Sequence, residues 1–214
     1  MTTTTEPLAT TVDYFESVYA EAAGDAGRVP WASPHPSKAL VNWLNAVAPT
    51  LIRCGARVAV AGCGLGADAR EVIRRGFDVT AFDCSATAVA WARGLDPDHA
   101  ESYVQADLFG PPGRWVRRFD LVIDINNIQA LQPHLHRDAV AALSRLVASH
   151  GYLLAICRGS ARPARDDEGP PWPPTEDELV HAASEAGLSP QGQVCCFTDD
   201  QDVPRIRAVF RRGS

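Results

Sequence analysis

Short apolar runs along this chain alternate with stretches whose apolar residues recur every three to four positions. Tyr14, Phe15, Val18 and Tyr19 stand at helical spacing and predict a helix within residues 12–21. A loop rich in Gly and Pro follows at 24–36. Ser37 then stands as a cap before Leu40, Val41, Trp43, Leu44 and Val47, the apolar side of a second helix. The run RVAVA at 57–61 predicts a buried strand, 67–75 a helix, 77–82 a strand, and 85–93 a helix capped by Ser85. Residues 103–105 and 119–125 read as a third and a fourth strand, 137–149 as a helix and 151–157 as a fifth strand. Thr175 with Glu178 three positions on has the form of a capping box, which opens a helix over 175–186. Residues 193–197 and 206–211 close the chain as two more strands. This alternation predicts an α/β fold with a doubly wound, mostly parallel sheet of seven strands and an antiparallel closing strand. Its ligand crevice is expected at the carboxyl ends of the strands.

Composition narrows the picture. A chain of 214 residues with 46% hydrophobic and 21% charged residues predicts a single globular domain over 12–214, preceded by a Thr-rich, disordered tail at 1–11. The net charge of −6 argues against a polyanionic partner such as nucleic acid. No apolar run approaches the roughly 20 residues that span a bilayer, so no membrane association is expected. The N-terminus lacks the basic start and apolar stretch of a signal peptide, which predicts a cytoplasmic location. Six cysteines, Cys54, Cys63, Cys84, Cys157, Cys195 and Cys196, show no C-x-x-C spacing and read as reduced, packed thiols.

The densest chemical signal is Val58-Ala59-Val60-Ala61-Gly62-Cys63-Gly64-Leu65-Gly66-Ala67-Asp68. An apolar strand runs into a glycine-rich turn that opens a helix, a design that lets backbone approach a nucleotide-like ligand closely. The spacing is G-x-G-x-G. The dinucleotide fingerprint is G-x-G-x-x-G, and Ala67 stands where its last glycine would be, so the motif alone leaves NAD open. Asp83 ends the next strand about 20 residues on, where a carboxylate can accept from ribose hydroxyls. Asp107, in Ala106-Asp107-Leu108 after the third strand, is placed to accept from an adenine amino group.

With these residues in view, the chain resembles the class I S-adenosylmethionine methyltransferases, and within them the thiopurine and thiol methyltransferase branch. VAVAGCGLGADA and AFDCSATAV are similar to the family's glycine turn and acidic ribose position. Residues 124–131, DINNIQAL, resemble its D-x-x-x-L-x-A-L stretch, and 168–173, EGPPWP, its G-P-P-aromatic element. The resemblance implies S-adenosyl-L-methionine as cofactor and a small-molecule acceptor, possibly a thiol. Gly62, Cys63 and Gly64 would meet the methionine part, and Asp68 would orient the turn or reach the methionine amino group. Asp83 would hold the ribose, with Cys84 and Ser85 on one side of the adenine and Asp107 and Leu108 on the other. Asn126 would sit beside the methyl group, and Trp31 would close over the cofactor. Tyr19, Ile128 and Trp172 would face the acceptor. Ile125 stands where some thiopurine-type enzymes carry an arginine, which argues against a carboxylated aromatic thiol as acceptor.

Methyl transfer from a sulfonium is an in-line displacement, and positioning alone can supply about 7–11 kcal/mol of the barrier. A thiol acceptor, with an unperturbed pKa of about 8.5, barely needs a base. An amine or hydroxyl needs more help, for which Asp124, His134, His136 and His35 are the candidates. The H-x-H pair has no third ligand near it in sequence, so no metal is expected. The long polar, Pro-rich stretch 159–174 reads as a lid, with Trp172 as an aromatic wall. Two further readings stay open: an N- or O-methyltransferase of a natural-product intermediate, and a non-methylating or sensing protein that binds the same cofactor.

Overall fold

A computed structural model describes residues 12–214. The expected tail at 1–11 lies outside the described residues.

The helices are α1 (Val12–Ala22), α2 (Lys38–Ala46), α3 (Ala48–Leu51), α4 (Ala67–Arg74), α5 (Ala86–Leu95), α6 (His136–Leu146) and α7 (Glu176–Glu185). The strands are β1 (Arg57–Ala61), β2 (Asp78–Asp83), β3 (Tyr103–Gln105), β4 (Phe119–Ile125), β5 (Val147–Arg158), β6 (Leu188–Pro190), β7 (Cys195–Thr198) and β8 (Pro204–Arg212). They form one sheet in the order β3-β2-β1-β4-β5-β8-β6, with β7 also on β8. Pairs from β3 through β5 are parallel, and β8 runs antiparallel to β5, as the sequence pattern predicts. Among the described residues there are eight strands, one more than expected. The extra strand, β6, is three residues long and too short to show alternation.

The helix expected over 137–149 stops at Leu146, and β5 begins there. Val147 is β-branched and fully buried opposite Phe119, so it pairs as strand and the ladder continues past an irregularity to Tyr152.

Alternate strand residues feed two cores. Ala59, Ala61, Val122 and Ala155 face α6 and α7. Val58, Val60, Ile123 and Leu154 face α2, α4 and α5. Burial on both faces explains why the parallel strands read as continuous apolar runs. The chain reverses its direction of strand addition between β1 and β4. That switch point is where an α/β sheet of this topology opens a crevice at the strand ends. Among the described residues, no helix is long and apolar enough to cross a membrane.

Candidate functional site

β1 delivers the chain to the switch point, and the turn after it needs glycine. Gly62 and Gly64 both hold φ near +50°, which costs an ordinary L-residue about 1–2 kcal/mol each. Space matters as much. A Cβ on Gly62 would stand 1.8 Å from Asn127 Oδ1, and one on Gly64 would stand 2.9 Å from the Tyr19 hydroxyl. Asp83, at the end of β2, ties the turn to its neighbour. Its Oδ2 accepts from the Gly64 N–H at 2.9 Å and its Oδ1 from the Ser85 N–H at 3.0 Å. The Cys84 thiol and backbone also donate to this carboxylate. Burial pushes the Asp83 pKa up, while the backbone donors oppose that shift.

Cys63 and Cys84 flank this carboxylate. Burial first, and the Asp83 charge second, raise both thiols, Cys84 to about 12. Both therefore stay protonated and act as packing groups. Asp107 lies exposed beyond Cys84, its Oδ1 accepting from the Phe109 N–H at 3.0 Å, and Leu108 packs on the core beside it. Ser85 is buried. Its hydroxyl accepts from the Ala88 N–H as the α5 cap and donates to Glu16 Oε2 at 2.7 Å, so only its backbone faces the groove side of Asp83. Asp68 accepts from the Ser37 N–H at 2.7 Å, which ties the start of α2 to the first turn of α4.

α1 roofs the turn. Glu16 accepts from the Ser85 and Thr87 hydroxyls and from the Thr87 N–H, latching α1 onto the start of α5. That latch sets Tyr19 over Gly64. Tyr19 is buried, and its hydroxyl accepts from Trp31 Nε1 at 2.7 Å. Trp31 itself is 43% exposed and packs edge-on against Phe15 and Tyr19. Trp31 is the most exposed of these aromatics. Glu16 escaped sequence reading because a lone glutamate on an amphipathic helix looks like a solvated one.

At the end of β4 the structure corrects several expectations. Asp124 is 0% exposed, held among core residues where no acceptor reaches it. Its Oδ1 accepts from Asn127 Nδ2 at 3.0 Å, and its Oδ2 has no partner. Burial raises its pKa to about 6. Asn126 takes a left-handed φ of +65°, and its side chain turns outward to accept from Arg205 on β8 at 3.0 Å. That twist hands the inner position to Asn127. The Asn127 amide donates to the Ala61 carbonyl at 2.8 Å as well as to Asp124, which leaves Oδ1 over Gly62. The sequence reading placed Asn126 beside the methyl group; the structure turns it outward to Arg205 and sets Asn127 over Gly62. Ile128 is 0% exposed in the core and faces no acceptor.

The segment 159–174 closes on itself. The Ser160 N–H donates to the Pro174 carbonyl at 3.0 Å, and Arg162 pairs with Glu168 at 2.7 Å. Trp172 is only 2% exposed. Its backbone N–H donates to the Gln129 carbonyl at 2.7 Å and its indole N–H to the Asp166 carbonyl at 3.2 Å. The ring anchors the segment to the loop after β4 instead of presenting an open wall. His136 is buried against the Leu131 carbonyl at 3.0 Å, and burial lowers its pKa, while His134 and His35 are exposed on loops. Beside the site, between the β7–β8 hairpin and the start of α7, lies a cleft of about 630 Å³.

Residues 58–151 match a family model described as a methyltransferase domain. No curated protein matches the sequence. Solved structures match along almost the whole chain. One, from work on converting a disulfide bond into a thioacetal group during echinomycin biosynthesis, is 24% identical, with a TM-score of 0.68 over 94% of this chain and 91% of the other. Another is the Burkholderia thailandensis 1,6-didemethyltoxoflavin-N1-methyltransferase with S-adenosylhomocysteine bound. It is 20% identical, with a TM-score of 0.72 over 98% of this chain and 93% of the other. A third, the [4+2]-cyclase SpnF, is 13% identical, with a TM-score of 0.74 over 97% of each chain. Residues 58–151 thus match a methyltransferase domain, and the chain as a whole shares the fold of these structures.

Proposed function

We propose that the protein transfers the methyl group of S-adenosylmethionine to a small-molecule thiol, as the thiopurine and thiol methyltransferase branch does. The observation that carries the cofactor site is the meeting of three groups at the switch point: the left-handed Gly62–Gly64 turn, the Asp83 carboxylate and the Asn127 amide. A cradle without side chains, one buried carboxylate and one oriented amide oxygen suit a ligand with an amino-acid end and a ribose.

In this reading Gly62, Cys63 and Gly64 hold the methionine part by backbone, and Asn127 Oδ1 accepts from its ammonium. Asp83 accepts from the ribose hydroxyls, with the Cys84 thiol giving way to them. Cys84 and Leu108 border the adenine, whose amino group donates to Asp107. Tyr19 and Trp31 exclude water above the turn. Bound there, the sulfonium supplies an activated methyl group. The chain's task is then alignment and desolvation. A thiol suits this site because Asp124, the base expected here, is closed off, and a thiol needs the least help with its proton.

Isothermal titration with S-adenosylmethionine, S-adenosylhomocysteine and NAD tests the cofactor assignment. Micromolar binding of the first two, weakened by roughly 1.5–3 kcal/mol in Asp83→Ala, is the expected result. Binding of NAD alone would overturn it. Product analysis by mass spectrometry with matched thiol, amine and hydroxyl panels tests the acceptor atom; a methylated amine with no methylated thiol excludes the thiol reading.

A further inference from the structure

Among the described residues, Asp124 alone is an ionisable side chain, fully buried, that keeps an oxygen with no hydrogen-bond partner. Packing does not call for it, because its register neighbours on β1 and β5 are the small apolar residues Ala61 and Ala155. A buried polar atom left unpaired is costly and is rare in folded chains, so its presence asks for a reason beyond the fold.

The protein itself supplies no counter-charge. Cys157, further along β5, feels Asp124, but burial first and that carboxyl second keep the thiol protonated. Arg205 on β8 is committed to Asp199 and Asn126. On α6, His136 is turned to the Leu131 carbonyl and feels Glu178 of α7, and Arg137 pairs with Glu185 of α7. Beyond β1, the ionisable group at the strand ends is another carboxylate, Asp83. From the loop after β4 come two neutral donors, the Asn127 amide and the Ile128 N–H.

Asn127 is also the link from Asp124 to the glycine turn. Its Nδ2 donates to Asp124 Oδ1 at 3.0 Å and to the Ala61 carbonyl at 2.8 Å, while its Oδ1 lies over Gly62. An ammonium group accepted by that Oδ1 stands one amide and two hydrogen bonds from the carboxyl, roughly 6–7 Å. In a water-poor interior an opposite charge at that range favours the ionised carboxylate.

We propose that Asp124 is a positioning residue for the cofactor, the buried counter-charge of its ammonium group acting through Asn127, so that cofactor binding ionises Asp124 and releases its proton to bulk water. The proposal rests on the cofactor reading above. In the free chain, burial raises the Asp124 pKa to about 6, and the ammonium group brings it down again. Below both values Asp124 is neutral with or without cofactor, and above both it is ionised in either state. Affinity therefore rises with pH through the interval and levels off above it.

Isothermal titration of the full chain with S-adenosylhomocysteine at pH 6, in buffers of different ionisation enthalpy, counts the protons released. The control is 5′-methylthioadenosine, which keeps the adenine and ribose, and so any contribution from Asp83, but has no ammonium group. S-adenosylhomocysteine is expected to release more protons than the control. Its affinity should rise roughly tenfold more than the control's between pH 5 and pH 7.5, the equivalent of one unit of pKa. Asp124→Asn keeps an acceptor for Asn127 and should abolish that difference, binding S-adenosylhomocysteine at pH 7.5 about tenfold more weakly than wild type. Equal proton release and parallel pH profiles for the two ligands would overturn the proposal, and that comparison needs wild type alone. Wild type that binds S-adenosylhomocysteine at neither pH would overturn the cofactor reading and the proposal with it.

Discussion

The side chain of Asn127 lies across Gly62. Its Oδ1 stands 1.8 Å from the point where a Gly62 Cβ would be, and its amide nitrogen donates to the Ala61 carbonyl and to Asp124. The Ala61 carbonyl can only accept, so the NH2 group must face it and the oxygen must face the turn. The two residues are 65 positions apart, and each excludes a change in the other.

Gly62→Ala should therefore lose cofactor more than it loses fold. The new methyl forces Asn127 aside and adds left-handed strain of about 1–2 kcal/mol. Calorimetry is expected to show binding weakened by about 1.5–3 kcal/mol, and thermal melts to show part of the lost stability recovered in Gly62→Ala/Asn127→Gly, which relieves the collision but removes the ammonium acceptor. Identical melting temperatures in the single and double variants would mean that strain, not collision, is the cause.

Asp124 should leave a mark on the pH dependence of stability. Burial raises its pKa from 3.8 to about 6 in the folded chain. Its protonated form is thus favoured by folding. That contribution is fully present below pH 3.8 and is lost as pH rises through about 6. A gap of about two pH units corresponds to about 3 kcal/mol. Thermal melts of wild type and Asp124→Asn across pH 4–8 should diverge over that window, the wild type losing more as pH rises. Parallel curves would place the titration elsewhere.

Glu16→Gln should loosen α1 from α5. Burial acts to raise the Glu16 pKa, but donation from the Thr87 and Ser85 hydroxyls and backbone outweighs it, and the net shift is downward. The ionised latch is present above the ordinary value of 4.5 and is lost as pH falls through the lowered one. Limited proteolysis at pH 7.5 is expected to cut the variant faster within 23–36, with indole fluorescence of Trp31 shifted red. Resistance equal to wild type would show that apolar packing alone seats α1.

Trp172→Ala should behave as a core variant. With the ring 2% exposed, its loss is expected to destabilise the chain by about 3–5 kcal/mol and lower Tm. Chemical denaturation measures this. A loss under 1 kcal/mol, with only acceptor kinetics altered, would restore Trp172 to the wall of the acceptor site.

Local pattern determined much of this protein. Strands buried on both faces show as apolar runs, and the glycine turn follows one of them, so β1, β2 and β4 and the positions of Gly62, Gly64 and Asp83 could be read directly. Such features depend on neighbours within a few residues and on backbone rules that hold in any fold. What only the tertiary structure decided are the contacts between distant segments. Asp124 and Asn126 were read from their place at a strand end. Yet one left-handed residue turned Asn126 outward to Arg205 and brought Asn127 in, and the depth of the core under α6 and α7 closed Asp124 off. Trp172 reads as a wall facing the acceptor because it stands among prolines in a lid-like stretch, and it is buried instead because the loop after β4 lies beneath it. Glu16 reaches the α5 cap across 69 positions of chain. Such pairings depend on where the sheet sets its strand ends, and no local spacing carries that information.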